Sequence, residues 1–516
     1  MIRHRWKILI GIAIVFVLLT AIELATIGNG PKKAVEAYKK SLIANGEKLD
    51  ISELVPPSVP PEQNGADIVN EALGLLTPED YEESNLIPAM QMIAPGKAIV
   101  CFEQRNPRNR YFTTSWANEM TLVEDDRPMT ELLRQAMGYS AVDFHLDYGK
   151  GIVVASPYLR PLLISAHRLS AEATCDLRQA DTASAVTNIC AILTLMNGLQ
   201  DERLLIFQEI RTYMTWIAAN TTWELLQSSN LNDGQLLLLQ SHWAHLEFIR
   251  ATENAFSMER AWSESELTKM QTSDENFNNS VGWARPSDVN WSDGWRNKWD
   301  GLMEQAKFAG ATSMFRASWI YSDELHMLED DQKILETIRT AETNRFFNPS
   351  YRDLLKQLRA HATLPNDWLT RLDVFGFRSM FGMFGIVSSE RNPVSLTMGL
   401  EATRRMVMTA IALRRYQLKH GDFPSALADL KPEFVSIIPQ DPVDGKPLRY
   451  RLTADGNFIL YSIGENGTDD GGDGSSKRKG PYSAYYWAQP DLLDWVWPQP
   501  ATAAEIQYFY AHPPGP

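Results

Sequence analysis

The sequence predicts a mainly α protein, a body of helical hairpins with a small α+β unit at its C-terminal end. Three observations carry this. Residues 157–250 keep helical spacing of apolar side chains almost without a break. The connections between those helices are short, so successive helices should pack antiparallel. After Gly421 the pattern changes to a short helix, two strands and a glycine-rich loop. The chain has 516 residues, too many for one core, so several domains are expected. The expected divisions are an anchor over 1–30, a mixed linker and α/β region over 31–156, a helical body over 157–395, an α+β unit over 396–497 and a tail over 498–516.

The first segment sets the compartment. MIRHRWK is basic, and Ile8 to Ile22 is an uncharged apolar run of 15 residues. That is short for a span, but Trp6 and Lys7 suit one membrane interface and Glu23 lies near the other. A cleaved secretory signal is the competing reading. It wants small residues at −3 and −1, whereas Ala25 is preceded at −3 by Glu23 and Ala21 by Leu19. An uncleaved, single-pass anchor is therefore expected. Arg3, Arg5 and Lys7 would hold the N-terminus in the cytoplasm. The bulk would be extracytoplasmic, in the periplasm beyond an inner membrane. LVPPSVPPEQNG, Leu54 to Gly65, follows as a proline-rich linker. Ala66 to Leu76 has helical spacing. Lys97 to Phe102 and Gly151 to Ser156 read as strands.

The helical body is marked by its caps. Asp181 should cap the helix TASAVTNICAILTLM. Asn232, with Gln235 three residues on, forms a capping-box start. The stacked pairs are similar to tetratricopeptide-type solenoids, without that repeat's signature or a fixed period. Further helical patterns cover 301–345, 350–372 and 396–420. On the last, Met406, Ala410, Leu413 and Tyr416 share a face, with Val407 and Ile411 beside them, and Gly421 follows as a stop. Asp455-Gly456 is a hairpin turn before the return strand NFILYS.

Charge and cysteine usage narrow the function. The net charge of −15 argues against nucleic acid as a partner. Cys101, Cys175 and Cys190 are too few for a disulfide scaffold and lack the spacing of a thiolate zinc site. Cys175 and Cys190 could pair across adjacent helices, or stand as two buried thiols. His242 and His245 are three apart on a helix with Glu247 nearby, but surface or packed histidines are the simpler account. Trp291, Trp295 and Trp299 could stack on a sugar ring, although their spacing also suits a helix's core face. No GxSxG, P-loop, GxGxxG or zinc signature is present, and no reaction can be read from the residues.

Three motifs near the C-terminus occur in order. Tyr416, Gly421, Phe423 and Pro424 end a helix. Pro439, Asp441, Pro442, Gly445, Pro447 and Tyr450 form a turn and strand. Tyr461, Ser462, Gly464, Gly467, Gly471 and Gly472 form the loop YSIGENGTDDGGDG. Residues 400–475, under a fifth of the chain, resemble the globular part of the type II secretion major pseudopilins. The whole arrangement also resembles a group of bacterial envelope proteins with an anchor, a PPxxNGA segment, a helical body and a pseudopilin-like end. The departures are plain: no FTLxE-type leader helix joins directly to this unit, and Asn466 stands where the pseudopilin aspartate would be.

The resemblance implies a calcium ion in the loop. Calcium takes six to eight hard oxygens, and Glu465, Asn466, Asp469, Asp470 and Asp473 are the candidate ligands. The loop is not an EF-hand, because Lys477 falls where the bidentate Glu is required. A solvated acidic turn is the other account. The expected role is binding or scaffolding among envelope proteins, associated with a secretion or pilus-like assembly. A glycan-active envelope enzyme is the alternative.

Overall fold

A computed structural model describes residues 30–77, 87, 89–108, 113–281, 301, 304–305, 308, 312, 315–316, 320–362, 392–476 and 491–512. The anchor segment and Trp291, Trp295 and Trp299 lie outside the described residues. Among the described residues no helix is long and apolar enough to cross a membrane. The fold is mainly helical with a small C-terminal sheet region, as the sequence predicts. It divides into two compact units, one drawn from Met1–Leu54, Ser257–Leu335 and Asp353–Arg391, the other from Val55–Phe256, Glu336–Arg352 and Asn392–Pro516.

The larger unit begins with α1 (Ala66–Leu73) and α2 (Trp116–Gln135). Its centre is the trio α3 (Ser156–Arg178), α4 (Thr182–Gly198) and α5 (Leu205–Leu226), which pack on one another. Local chemistry sets their ends. Ala180 takes a left-handed φ of 62° between α3 and α4. Asp181 then caps α4 by accepting the Ser184 amide at 3.0 Å, satisfying a donor the helix cannot. α6 (Asp233–Ala244) opens with a full capping box. Asn232 Oδ1 accepts the Gln235 amide, and Gln235 Oε1 accepts the Asn232 amide, each at 3.0 Å.

The helices α7 (Ile249–Thr272), α8 (Asp274–Val281), α9 (Ile320–Asn344) and α10 (Ser350–Ala362) follow. The smaller unit has a buried polar core. Arg260 is almost wholly enclosed and donates to Glu47 at 2.8 Å and to Gln332 at 2.9 Å. The Lys39 ammonium closes on both Glu264 and Glu324.

The helix that positions the C-terminal site is α11 (Pro393–His420). Asn392 caps it, accepting the Val394 amide at 2.9 Å, and Gly421 ends it with φ 93°, its amide donating to the Gln417 carbonyl at 2.8 Å. Met406, Val407, Ala410, Ile411 and Leu413 are all buried. Both flanks are covered because α11 packs against α5 and α6 and also against strand β4 (Phe458–Ser462). Strand β4 pairs antiparallel with β3 (Arg449–Leu452) and β5 (Trp495–Val496). A second sheet joins β1 (Met90–Ala94) and β2 (Lys97–Val100) to the parallel β6 (Gln499–Pro500).

Three features differ from, or settle, the sequence reading. Gly151–Ser156 is not a strand; it falls in a 3₁₀ run, Tyr148–Ala155, that passes into α3. Gly151 adopts φ 64°, ψ −151°, which breaks an extended run, and Ile152 and Val153 are exposed rather than buried. Residues 498–516 are more than a tail, since they carry β6 and α12 (Ala503–Ala511). Cys101, Cys175 and Cys190 are free, buried thiols.

Candidate loop site

The site grows from two buried carboxylates. Asp441, from the turn motif, is fully enclosed. It accepts from the Val443 amide (2.9 Å), the Ser462 hydroxyl (2.8 Å), the Ile463 amide (3.0 Å) and Arg449 Nη1 (2.9 Å). This fixes the end of β4 to the turn before β3. Burial pushes the Asp441 carboxyl up, against the pull of its four donors. The loop then leaves β4 at Gly464, whose φ is 65°. A Cβ there would lie 2.4 Å from the Leu493 carbonyl oxygen, so only glycine fits.

Asp494 is the second buried carboxylate. Its amide donates to the Asp473 carbonyl at 2.9 Å. Its side chain accepts the Gly472 amide at 2.7 Å and the Asp470 amide at 3.4 Å. Burial raises its pKa to about 6, the two amides oppose this, and the charges of Asp470 and Asp469 add to the rise. Asp494 therefore ties the loop's turn by collecting the Gly472 and Asp470 amides.

The five candidate ligands go to different partners. Glu465 accepts from the Tyr351 hydroxyl. Asn466 Nδ2 donates to Asp470 at 2.8 Å. Asp469 accepts from the Tyr461 hydroxyl at 2.9 Å and lies 3.5 Å from Arg449 Nε. Slight burial would raise the Asp469 pKa, but the Gly471 amide, Tyr461 and Arg449 hold it below the usual carboxylate value. Burial and Asp469 together push Tyr461 up to about 12. Asp473 accepts the Ser475 amide at 2.9 Å. The fold thus pairs Asn466 with Asp470, sets Asp469 and Asp470 where their charges act on Asp494, and turns Glu465 onto Tyr351. Three arginines attend it. Arg352 Nη2 donates to the Asn466 and Gly467 carbonyls at 3.3 and 3.2 Å, and Arg451 Nη2 to the Gly471 carbonyl at 3.1 Å. Among the described residues no three His, Cys, Asp or Glu side chains converge to hold a metal. A calcium cage from the five residues would need Glu465 released from Tyr351, and Asp469 from Tyr461 and Arg449.

Sequence reasoning missed Asp494, Tyr351 and Arg352. Asp494 had a signal, a lone acid inside the apolar run LLDWVW. Tyr351 and Arg352 had none, because they reach the loop from more than a hundred residues away. The histidine pair is not a ligand set. His242 is half-buried and His245 exposed, and each turns Nδ1 onto the carbonyl four residues back, Leu238 at 3.0 Å and Ser241 at 2.6 Å. Against family models, curated proteins and solved structures the chain finds no match, so the resemblance of residues 400–475 to pseudopilins rests on their three motifs.

Proposed function

We propose that this chain is a binding or scaffold protein of the bacterial cell envelope. Residues 8–22 anchor it in the inner membrane, and the helical body and pseudopilin-like unit stand on the periplasmic side. The observation that carries the reading is α11. One helix packs on α5 and α6 and also on the β3–β4–β5 sheet. The loop-bearing unit is therefore built onto the helical layer, an arrangement suited to presenting a fixed surface to partner proteins of a secretion or pilus-like assembly. Calcium at Asn466, Asp469 and Asp470 belongs to the same proposal. The charges of Asp470 and Asp469, which add to the burial that raises Asp494, support it.

The glycan-active alternative asks for two carboxylates about 5–10 Å apart across a cleft. Glu264 and Glu324 both close on one ammonium, that of Lys39, which favours an internal ion cluster over such a pair. The test is extraction of membranes from cells making the full chain. The protein should stay with the pellet through a carbonate wash. A soluble protein whose N-terminus begins after Ala25 would show a cleaved signal instead.

A further inference from the structure

Two carboxylates and one ammonium meet inside the smaller unit. Lys39, on the helix over residues 30–44, closes on Glu264 of α7 and on Glu324 of α9. Both acids are buried, their side chains 10% and 1% exposed. Their outer oxygens differ. Glu324 Oε2 accepts from Gln271 Nε2 at 2.5 Å. Glu264 Oε2 is buried and has no hydrogen-bond partner among the described residues. Thr268 faces Glu264 from its own helix, 3.5 Å from Oε1. A cleft of about 680 Å³ reaches Lys39 and Glu264, and the other cations along it have partners of their own. Lys269 pairs with Glu266, and Lys48 donates to the Glu53 carbonyl. One turn before Glu264, Arg260 is taken by Glu47 and Gln332. Two ionised carboxylates against one ammonium therefore leave one buried negative charge. A proton on one of the two acids would cancel that charge and supply a donor between them.

Few side chains hold the 30–44 helix in place. Val35 and Leu42 are its two buried residues, and the rest of it is half-buried or exposed. Lys32 adds a contact with the Tyr321 ring of α9, 5.7 Å from its centre. A helix with so small a buried face opens easily, so the charge on its one clamp decides how well it is held. We propose that Glu264 and Glu324 share one proton, and that this proton locks the 30–44 helix onto α7 and α9. With the proton, the trio is neutral. Without it, a buried negative charge loosens the helix. Burial first, and then the charge of Glu324, push the Glu264 carboxyl up to about 6, against the pull of Lys39. The unfolded value is near 4.5, so the extra hold is complete below that pH and is lost as pH rises through about 6. The chain thus has an acid-tightened clamp on its first described helix.

The test is hydrogen exchange of the full chain in mild detergent, read by mass spectrometry on peptides covering residues 30–44. Rates are corrected for the pH dependence of exchange in an unstructured chain. Protection of these amides should fall about tenfold between pH 5 and pH 8. Glu264→Gln and Glu324→Gln each leave one carboxylate on one ammonium, with an amide in place of the protonated acid. Each should keep the circular dichroism spectrum and lose the fall. Should one of them fail to fold, the other decides. Glu266→Gln, at a solvent-facing acid of α7 paired with Lys269, should keep the wild-type fall. Protection indifferent to pH in the wild type overturns the proposal. So does a full tenfold fall that persists in a folded Gln variant, or one that disappears in Glu266→Gln.

Discussion

The Trp223 indole donates to the carbonyl of Pro498 at 2.7 Å, across 275 residues of sequence. Trp223 is fully buried in α5, and Pro498 lies between β5 and β6. This bond ties the C-terminal strands to the helical layer. Replacing Trp223 by Phe should cost about 2–4 kcal/mol, combining a buried carbonyl left without a donor and lost core volume. The melting temperature should fall by several degrees, and an unchanged melt would show the contact to be idle.

Asp441 should matter more than any of the five candidate loop ligands. It holds four donors inside a buried turn. Asp441→Ala leaves the Val443 and Ile463 amides and the Ser462 hydroxyl without this acceptor, while Arg449 keeps Asp444 at 2.8 Å, at a cost of about 3–5 kcal/mol. Asp473→Asn, at an exposed position, should change stability by less than about 0.5 kcal/mol. Chemical unfolding of both variants, read by tryptophan fluorescence, checks the order. The reverse order would contradict this account of the loop.

Acid should help one part of the helical body. Burial, with Glu172 and Asp181 nearby, raises the Asp176 pKa to about 7. Its native pKa is above the unfolded value, so the native state holds the proton longer. The strain from Asp176 is absent below the unfolded pKa near 4 and grows as pH rises towards 7. Asp176→Asn keeps an acceptor for the Asn188 amide, now 2.9 Å away. The variant should be about 1–2 kcal/mol more stable than the wild type at pH 8, a figure reduced for the group's partial exposure, and no more stable at pH 4. Equal gains at both pH values would rule out titration as the cause.

The hairpins were legible because their signals are local. Asp181, the Asn232–Gln235 box and Gly421 each act within one turn of chain. Gly151–Ser156 misled because a β-branched run suggests a strand, while one glycine with positive φ redirects it. The loop's acids were visible in the sequence, but their partners were not. Tyr351 and Arg352 reach the loop only through tertiary packing, and hydrophobic periodicity carries no trace of such a meeting.

Calcium separates two accounts of that loop. A site of Kd roughly 0.1–1 mM would add on the order of 0.4–1.4 kcal/mol at about 1 mM calcium. Calcium should then raise the melting temperature of the full chain, magnesium should do so less, and the double variant Asp469→Asn, Asp470→Asn should lose the response. A melt indifferent to millimolar calcium would leave the loop as a turn held by Asp494 and its arginines.

Envelope binding is the central claim, and affinity purification of the full-length chain from detergent-solubilised membranes tests it most directly. Quantitative mass spectrometry of the eluate should find one or a few envelope proteins in near-stoichiometric amounts, absent from a control lacking the tagged chain. Recovery of the chain alone, from the soluble fraction and with no envelope protein enriched, would contradict it.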